Sequence, residues 1–262
     1  MIAEIYNKIS QTGSNLHDRL EDKLTGDVFG ALRYLPFEKG LAPILARTRL
    51  HAPAEQQHLA MLLSQCSGYD FHITFWRKSG DGEIDMVLET EQALIGIEVK
   101  YMSGLSSDDD IDLSTGEKEE SSSNQLSRYS RSIAELPANK AKFLLFLAPA
   151  SMGTAVVENV RARNIMHPSV PLGLLTWQDV LLAVSEAAEA AAHTGQRRVL
   201  EDIGQLLSKK GFELFRGFSF GLETTYLPPA SHGYIYKTSK HTYWNSYGAT
   251  PVIGGKHYEY RG

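Results

Sequence analysis

Three carboxylates and one ammonium group, those of Glu83, Asp85, Glu98 and Lys100, lie at the two ends of the segment EIDMVLETEQALIGIEVK. Two runs of alternating apolar residues flank its centre, which predicts an antiparallel hairpin whose side chains change face at every residue. If the turn is centred between residues 91 and 92, Asp85 lies opposite Glu98, and Glu83 lies opposite Lys100. All four ionisable side chains then share one face.

The opposed acids, Asp85 and Glu98, predict a bound cation. Cross-strand Cβ atoms lie about 4.5–5.5 Å apart, and two carboxylates at that distance repel each other unless a proton or cation lies between them. Mg²⁺ or Mn²⁺ would take the carboxylates together with the Val99 carbonyl. Lys100 would hold or activate an attacking water and offset charge on a phosphate. The alternative is a solvated hairpin whose Glu83–Lys100 ion pair contributes about 0–1 kcal/mol.

The opposite face of the hairpin is apolar and is expected to pack on the core. The side chains predicted to share it are Ile84, Met86, Leu88, Ile95, Ile97 and Val99. Gly96 falls on the charged face opposite Val87, so no bulky side chain stands there.

Asp85, followed after twelve residues by Glu98-Val99-Lys100, resembles the signature of the PD-(D/E)XK nuclease superfamily. In that superfamily a β-hairpin presents an acid and a (D/E)xK triplet to a divalent metal and the scissile phosphate. Ile84 stands where the family name has proline. The resemblance implies metal-dependent hydrolysis of phosphodiester bonds in DNA. A ribonuclease of the same fold remains an alternative, as does a catalytically inactive module that binds nucleic acid or a partner protein.

The resemblance also implies supporting residues on two helices. The first helix of the superfamily often supplies a further acid to the metal, and Glu21 occupies the corresponding region. Members related to recombination exonucleases carry Gln-xxx-Tyr on the helix after the triplet, a spacing that Gln125 and Tyr129 match. Gln125 would bond the metal-bound water or a phosphate oxygen, and Tyr129 would contact the nucleic-acid backbone. Arg128 would add positive charge on the same helix.

The remaining chain predicts the elements that must position these residues. Helix signals precede the hairpin, with Asn15 as a cap and Pro53 in a first turn. A strand precedes the hairpin, and a polar loop follows it. The predicted elements are a strand at Tyr69–Lys78, an exposed mobile loop at Ser103–Ser123, a helix capped by Asn124, a buried strand at Lys142–Ala148, a helix around Thr154–Arg163, a strand near Leu172–Leu175, and helices at about Gln178–Ala192 and Arg197–Lys210. This order predicts an α/β fold with a mixed central sheet flanked by helices, and the resemblance implies a restriction-endonuclease-like αβββαβ core.

Composition limits the class of protein further. The 262 residues carry a formal charge of -5, which argues against non-specific coating of nucleic acid. The single cysteine, Cys66, excludes an intramolecular disulfide. Neither a signal peptide nor a long apolar span is evident, so we expect a soluble cytoplasmic protein without a membrane partner. Because cutting both strands of a duplex commonly needs two sites, a homodimer is a candidate assembly.

The C-terminal region differs in character from the rest of the chain. We predict a nuclease-like domain at residues 1–208 and a small basic, aromatic-rich appendage at residues 209–262. The appendage has seven Lys and Arg against three acids, a net charge of +4. Interleaved basic and aromatic residues suit phosphate contacts and base stacking, and they equally suit a cap whose rings pack on the main domain.

Overall fold

The computed structural model describes residues 16–79, 82–101, 105, 124–137 and 139–213. In this part of the chain, helices lie on both faces of a mixed five-stranded sheet of order β1-β2-β3-β4-β5. The predicted α/β class with a mixed, helix-flanked sheet is therefore confirmed. In chain order the elements are α1 (Leu16–Leu32), a 3₁₀ turn (Phe37–Lys39), α2 (Leu41–Leu45), α3 (Pro53–Gln65), β1 (Phe71–Ser79), β2 (Gly82–Thr90), β3 (Ala93–Val99), α4 (Gln125–Glu135), β4 (Ala141–Ala148), α5 (Ala150–Arg163), β5 (Leu172–Thr176), α6 (Trp177–Ala190) and α7 (Thr194–Lys209).

Local signals in the sequence determine where two of the helices begin. Pro53 is the first residue of α3, where its missing N–H group costs no intrahelical hydrogen bond. The Asn124 side chain caps α4 by accepting hydrogen bonds from the N–H groups of Leu126 at 3.0 Å and Ser127 at 3.4 Å. Both predicted starts are confirmed. The second one matters for the site, because α4 lies over the charged end of the hairpin.

The hairpin pairs in the predicted register. β2 and β3 are antiparallel, with Met86 opposite Ile97 and Val87 opposite Gly96. β1 also pairs antiparallel with β2, whereas β3, β4 and β5 run parallel. Since parallel strands end at the same edge of a sheet, the carboxyl ends of β3 and β4 lie together. The Lys100 N–H group marks this edge by donating to the Leu147 carbonyl at 2.7 Å.

The sheet separates two hydrophobic cores. The α1-side core joins one face of the sheet to α1, α2, α3, α6 and α7. The α4-side core joins the other face to α4 and α5. β4 contributes buried side chains to both, as predicted for a central strand. Any side chain at the carboxyl end of β3 can therefore be reached by helices from either face.

The regular alternation of β1 and β2 breaks where Trp76 lies across from Asp85. Trp76 has φ of 48°, and it packs in the α1-side core together with its neighbour Phe75. Ile84 lies in the α4-side core, whereas Met86 lies in the α1-side core. The prediction that Ile84 shares a face with Met86 is wrong, because the left-handed residue rotates the strands.

Some predictions concern residues outside the described ranges. They include the Asn15 cap, the loop at Ser103–Ser123 apart from Leu105, and the C-terminal appendage beyond residue 213. Among the helices that the structure does describe, none has both the length and the apolar character needed to cross a bilayer.

Candidate active site

The acids of the hairpin converge at the carboxyl end of β3. Asp85 projects from β2, and its Oδ2 accepts a hydrogen bond from the Val99 N–H group at 2.8 Å. Glu98 is the penultimate residue of β3 and is only 1% exposed. The two predicted metal-binding acids therefore both lie at the edge of the sheet where the strand ends.

Lys100 forms a buried ion-pair triad with two glutamates. Its Nζ lies 2.8 Å from Glu98 Oε1 and 3.0 Å from Glu21 Oε1. Lys100 is 5% exposed. A solvated surface hairpin, the alternative drawn from the sequence, is excluded because both Lys100 and Glu98 are buried. Removing these charges from water is costly unless each is paired, which the triad achieves only in part.

Glu21 reaches the site from α1, on the opposite side of the sheet from α4. Its Oε1 bonds Lys100, and its Oε2 accepts a hydrogen bond from the Tyr101 N–H group at 2.8 Å. The structure thus brings Glu21 into the site as predicted, with its carboxylate on Lys100. Its role as a metal ligand stays a prediction.

Gln125 reaches the same acids from α4. Its Nε2 donates to Glu98 Oε1 at 2.7 Å and to the Tyr129 hydroxyl at 3.1 Å. The close packing of α4 on β3 depends on the absence of a side chain at Gly96, because a Cβ atom there would clash with Ile133 Cδ1. Gly96 therefore lets α4 pack closely on β3, which places Gln125 within hydrogen-bond distance of Glu98.

Tyr129 and Arg128 lie beside Gln125 on α4. Tyr129 is buried, and a Cβ atom at Gly82 would stand 3.0 Å from its Cε1, so the start of β2 packs directly on the ring. The Arg128 guanidinium lies 5.9 Å from the centroid of the same ring. In this arrangement Tyr129 supports Gln125. The contacts of Tyr129 and Arg128 with nucleic acid stay predictions.

The electrostatics of the site oppose ionisation of Asp85 and Glu98. Burial, followed by the charge of Glu98, raises the pKa of Asp85 well above its usual range. Burial also raises the pKa of Glu98, although Lys100 acts in the opposite direction. For Lys100 itself, burial lowers the pKa, but attraction to Glu98, Glu21 and Asp85 outweighs it and the net pKa is raised. Lys100 is consequently an ammonium group at neutral pH.

Asp85 and Glu98 are the residues that could hold a magnesium-type ion. Glu98 Oε2 is buried and has no hydrogen-bond donor among the described residues. The adjacent carboxyl of Asp85 can supply one only while it carries a proton, so the pair must share either a proton or a cation. No group of three or more His, Cys, Asp or Glu side chains in the described ranges could enclose a metal. Mg²⁺ commonly needs only one or two carboxylates, with water and phosphate oxygens completing its shell.

Two contributors to the site were missed by reasoning from the sequence. The Trp177 indole Nε1 donates to the Lys100 carbonyl at 2.9 Å, although 77 positions separate the two residues. The Trp76 indole Nε1 donates to Asp22 Oδ1 at 2.8 Å, next to Glu21 on α1. In the sequence, the only indication that Asp22 contributes to the site is its position beside Glu21. Neither bond follows from local patterning, because each joins elements distant in the chain.

One family model matches the chain. It is described as a domain of unknown function, DUF4143, and the match covers residues 53–130. That segment contains the hairpin acids, Lys100 and the Gln125–Tyr129 pair, and it ends within α4. The comparisons with curated proteins and with solved structures gave no match.

Proposed function

We propose that this protein is a divalent-metal-dependent nuclease that hydrolyses phosphodiester bonds in DNA. The proposal includes the finer fold assignment, in which α1, β1, β2, β3, α4 and β4 form a core of the PD-(D/E)XK type. The order of these elements and the mixed sheet are consistent with that assignment.

The observation that carries the proposal is the pair of acids, buried Glu98 and half-buried Asp85, beside an ammonium at the end of β3. If Glu21, Asp85 and Glu98 are ionised and Lys100 is protonated, the cluster has a charge of -2, which one divalent cation would neutralise. Such a cluster is costly in the metal-free protein. Strongly perturbed acids with specific charged partners are typical of functional sites.

Each residue has a distinct role in the proposed site. Asp85, Glu98 and the Val99 carbonyl would hold Mg²⁺ or Mn²⁺, and the ion would lower the pKa of water and offset charge on the phosphate. Lys100, as an ammonium group, would hold the attacking water by donating hydrogen bonds and would stabilise phosphate charge. Glu21 keeps the Lys100 side chain in place.

Gln125 supports the acid pair from the other side of the sheet. Its amide bonds Glu98 Oε1, which leaves Glu98 Oε2 for the ion. The Tyr129 hydroxyl accepts a second hydrogen bond from the same amide and restrains its orientation. We therefore expect Gln125→Ala to weaken metal binding, and Tyr129→Phe to have a smaller effect in the same direction.

A cleavage assay tests the proposal. Purified protein is incubated with linear and circular DNA in the presence of Mg²⁺, Mn²⁺ or EDTA, alongside Glu98→Gln and Lys100→Ala variants. Lys140→Ala is the matched control, since Lys140 also pairs with a glutamate, Glu89, at 2.7 Å but lies at the other end of the strands. We expect cleavage only with metal, retained in Lys140→Ala and lost in both site variants.

The same experiment separates the alternatives. Equal cleavage by wild type and Lys100→Ala would refute the role of Lys100. The proposed residues would act on phosphate and not on sugar, so competition between DNA and RNA substrates is needed to distinguish a deoxyribonuclease from a ribonuclease. DNA binding without cleavage, together with no heat on magnesium titration, would contradict the nuclease proposal and favour a binding module.

A further inference from the structure

Trp76 has a backbone conformation that is unfavourable for a bulky aromatic residue. Its φ of 48° is in the left-handed region, where bulky non-glycine residues are strained and cluster at functional sites. It lies between the paired positions Phe75–Met86 and Arg77–Ile84, directly across from Asp85. The distortion therefore falls at the residue that supplies one of the two acids.

The side chain of Trp76 stabilises this distortion. The ring is buried, and its indole Nε1 donates a 2.8 Å hydrogen bond to Asp22 Oδ1 on α1. The neighbouring residue of α1, Glu21, bonds Lys100. Two adjacent residues of α1 therefore contact Trp76 and the Lys100 ammonium group.

The rotation of the strands has a direct consequence at Asp85. With Ile84 in the α4-side core and Met86 in the α1-side core, the strand turns at Asp85. Its carboxylate accepts the Val99 N–H hydrogen bond, just beyond Met86–Ile97, the last paired positions of β2 and β3 on this side.

We propose that Trp76 is a positioning residue, held by its hydrogen bond to Asp22, which turns β2 so that the Asp85 carboxylate lies on the Val99 amide at the metal site. The metal part of this inference rests on the proposed function. The geometric part, in which Trp76 positions Asp85 for its hydrogen bond with the Val99 amide, is independent of the proposed function.

The test compares Trp76→Phe, which keeps a ring but loses the N–H donor, with Asp22→Ala, which removes the acceptor. Asp22→Asn keeps an acceptor oxygen and should restore the behaviour of the wild type. Val160→Ala is the stability control, because it removes buried volume from α5, which packs on β4 and β5. Two quantities are measured well below the melting temperature: exchange of the Val99 amide hydrogen in metal-free protein, and Mn²⁺ affinity by calorimetry.

We expect Val99 exchange to be about three- to tenfold faster in Trp76→Phe and Asp22→Ala, as for the loss of one hydrogen bond. We expect Mn²⁺ affinity to fall about tenfold in both, in line with other outer-shell substitutions. The double variant should be no worse than either single variant. Val160→Ala should lower stability without either effect.

Two outcomes would overturn the inference. Unchanged Val99 exchange in both variants would show that the Trp76–Asp22 bond does not position Asp85. Equal effects in Val160→Ala would show that only global stability matters. If the wild type binds no Mn²⁺, the proposed function fails, while the exchange measurement still decides the positioning role.

Discussion

The contact between Gly96 and Ile133 allows a quantitative test of how α4 is placed over the site. In a Gly96→Ala variant the new Cβ would lie 2.3 Å from Ile133 Cδ1 and 3.3 Å from its Cγ1. The first distance is about 1 Å shorter than a tolerable contact, and Ile133 is fully buried. Either Ile133 leaves its rotamer or α4 moves away, and overpacking of this kind costs about 1–3 kcal/mol.

The consequence for the site is a longer Gln125–Glu98 hydrogen bond, which is 2.7 Å in the native arrangement. We therefore expect Gly96→Ala to lower the melting temperature by about 2–4 °C for each kcal/mol lost, and to reduce metal-dependent DNA cleavage. Urea unfolding gives the free energy, and initial cleavage rates give the activity.

The matched variant is Ile133→Val, which removes Cδ1 and alone costs about 0.5–1.5 kcal/mol. Because the clash disappears in the double variant, its destabilisation should be smaller than the sum of the two single values by about 1 kcal/mol or more. Additive free energies, or a Gly96→Ala variant as stable as the wild type, would refute the argument that this contact sets the position of α4.

Three further predictions concern ionisable groups. Burial and the charge of Glu98 raise the pKa of Asp85, so protonated Asp85 stabilises the folded, metal-free protein. This contribution is fully present below the unfolded-state pKa of about 3.9 and is lost as the pH rises through the higher folded-state pKa. Asp85→Asn should remove that loss in urea unfolding with EDTA. Lys100→Met leaves buried acids without their cation and should cost about 3–5 kcal/mol, part of which Mg²⁺ should restore. Burial, then Asp70, raises the pKa of the Cys66 thiol, so iodoacetamide should alkylate it more slowly in folded than in urea-unfolded protein at pH about 8.

Each of these predictions has an outcome that contradicts it. For Asp85, the contradicting outcome is that the wild type and the Asp85→Asn variant show the same dependence of unfolding free energy on pH. For Lys100, it is a loss no larger than that of Lys140→Met, whose partly exposed pair should contribute less than about 1 kcal/mol. For Cys66, it is equal alkylation rates in folded and unfolded protein.

The hairpin shows how far pattern reasoning extends. Its register was predictable because side chains alternate with a period of two and one face had to be apolar; a one-residue slip would have exposed that whole set. The helix starts at Pro53 and Asn124 were predictable because each depends on local backbone chemistry. Ile84 was misplaced, since nothing local indicates that Trp76 adopts a left-handed conformation.

By itself, the sequence determined that two acids and a lysine lie at the open end of a hairpin in an α/β protein. Residue spacing and hydrophobic alternation are local patterns that can be recognised over a few residues. Only the tertiary structure decided that Glu21 bonds Lys100 and the Tyr101 amide, that Trp76 bonds Asp22, and that Trp177 bonds the Lys100 carbonyl. These contacts join segments more than fifty residues apart. Their geometry depends on how the helices pack on the sheet, and local periodicity contains no information about that packing.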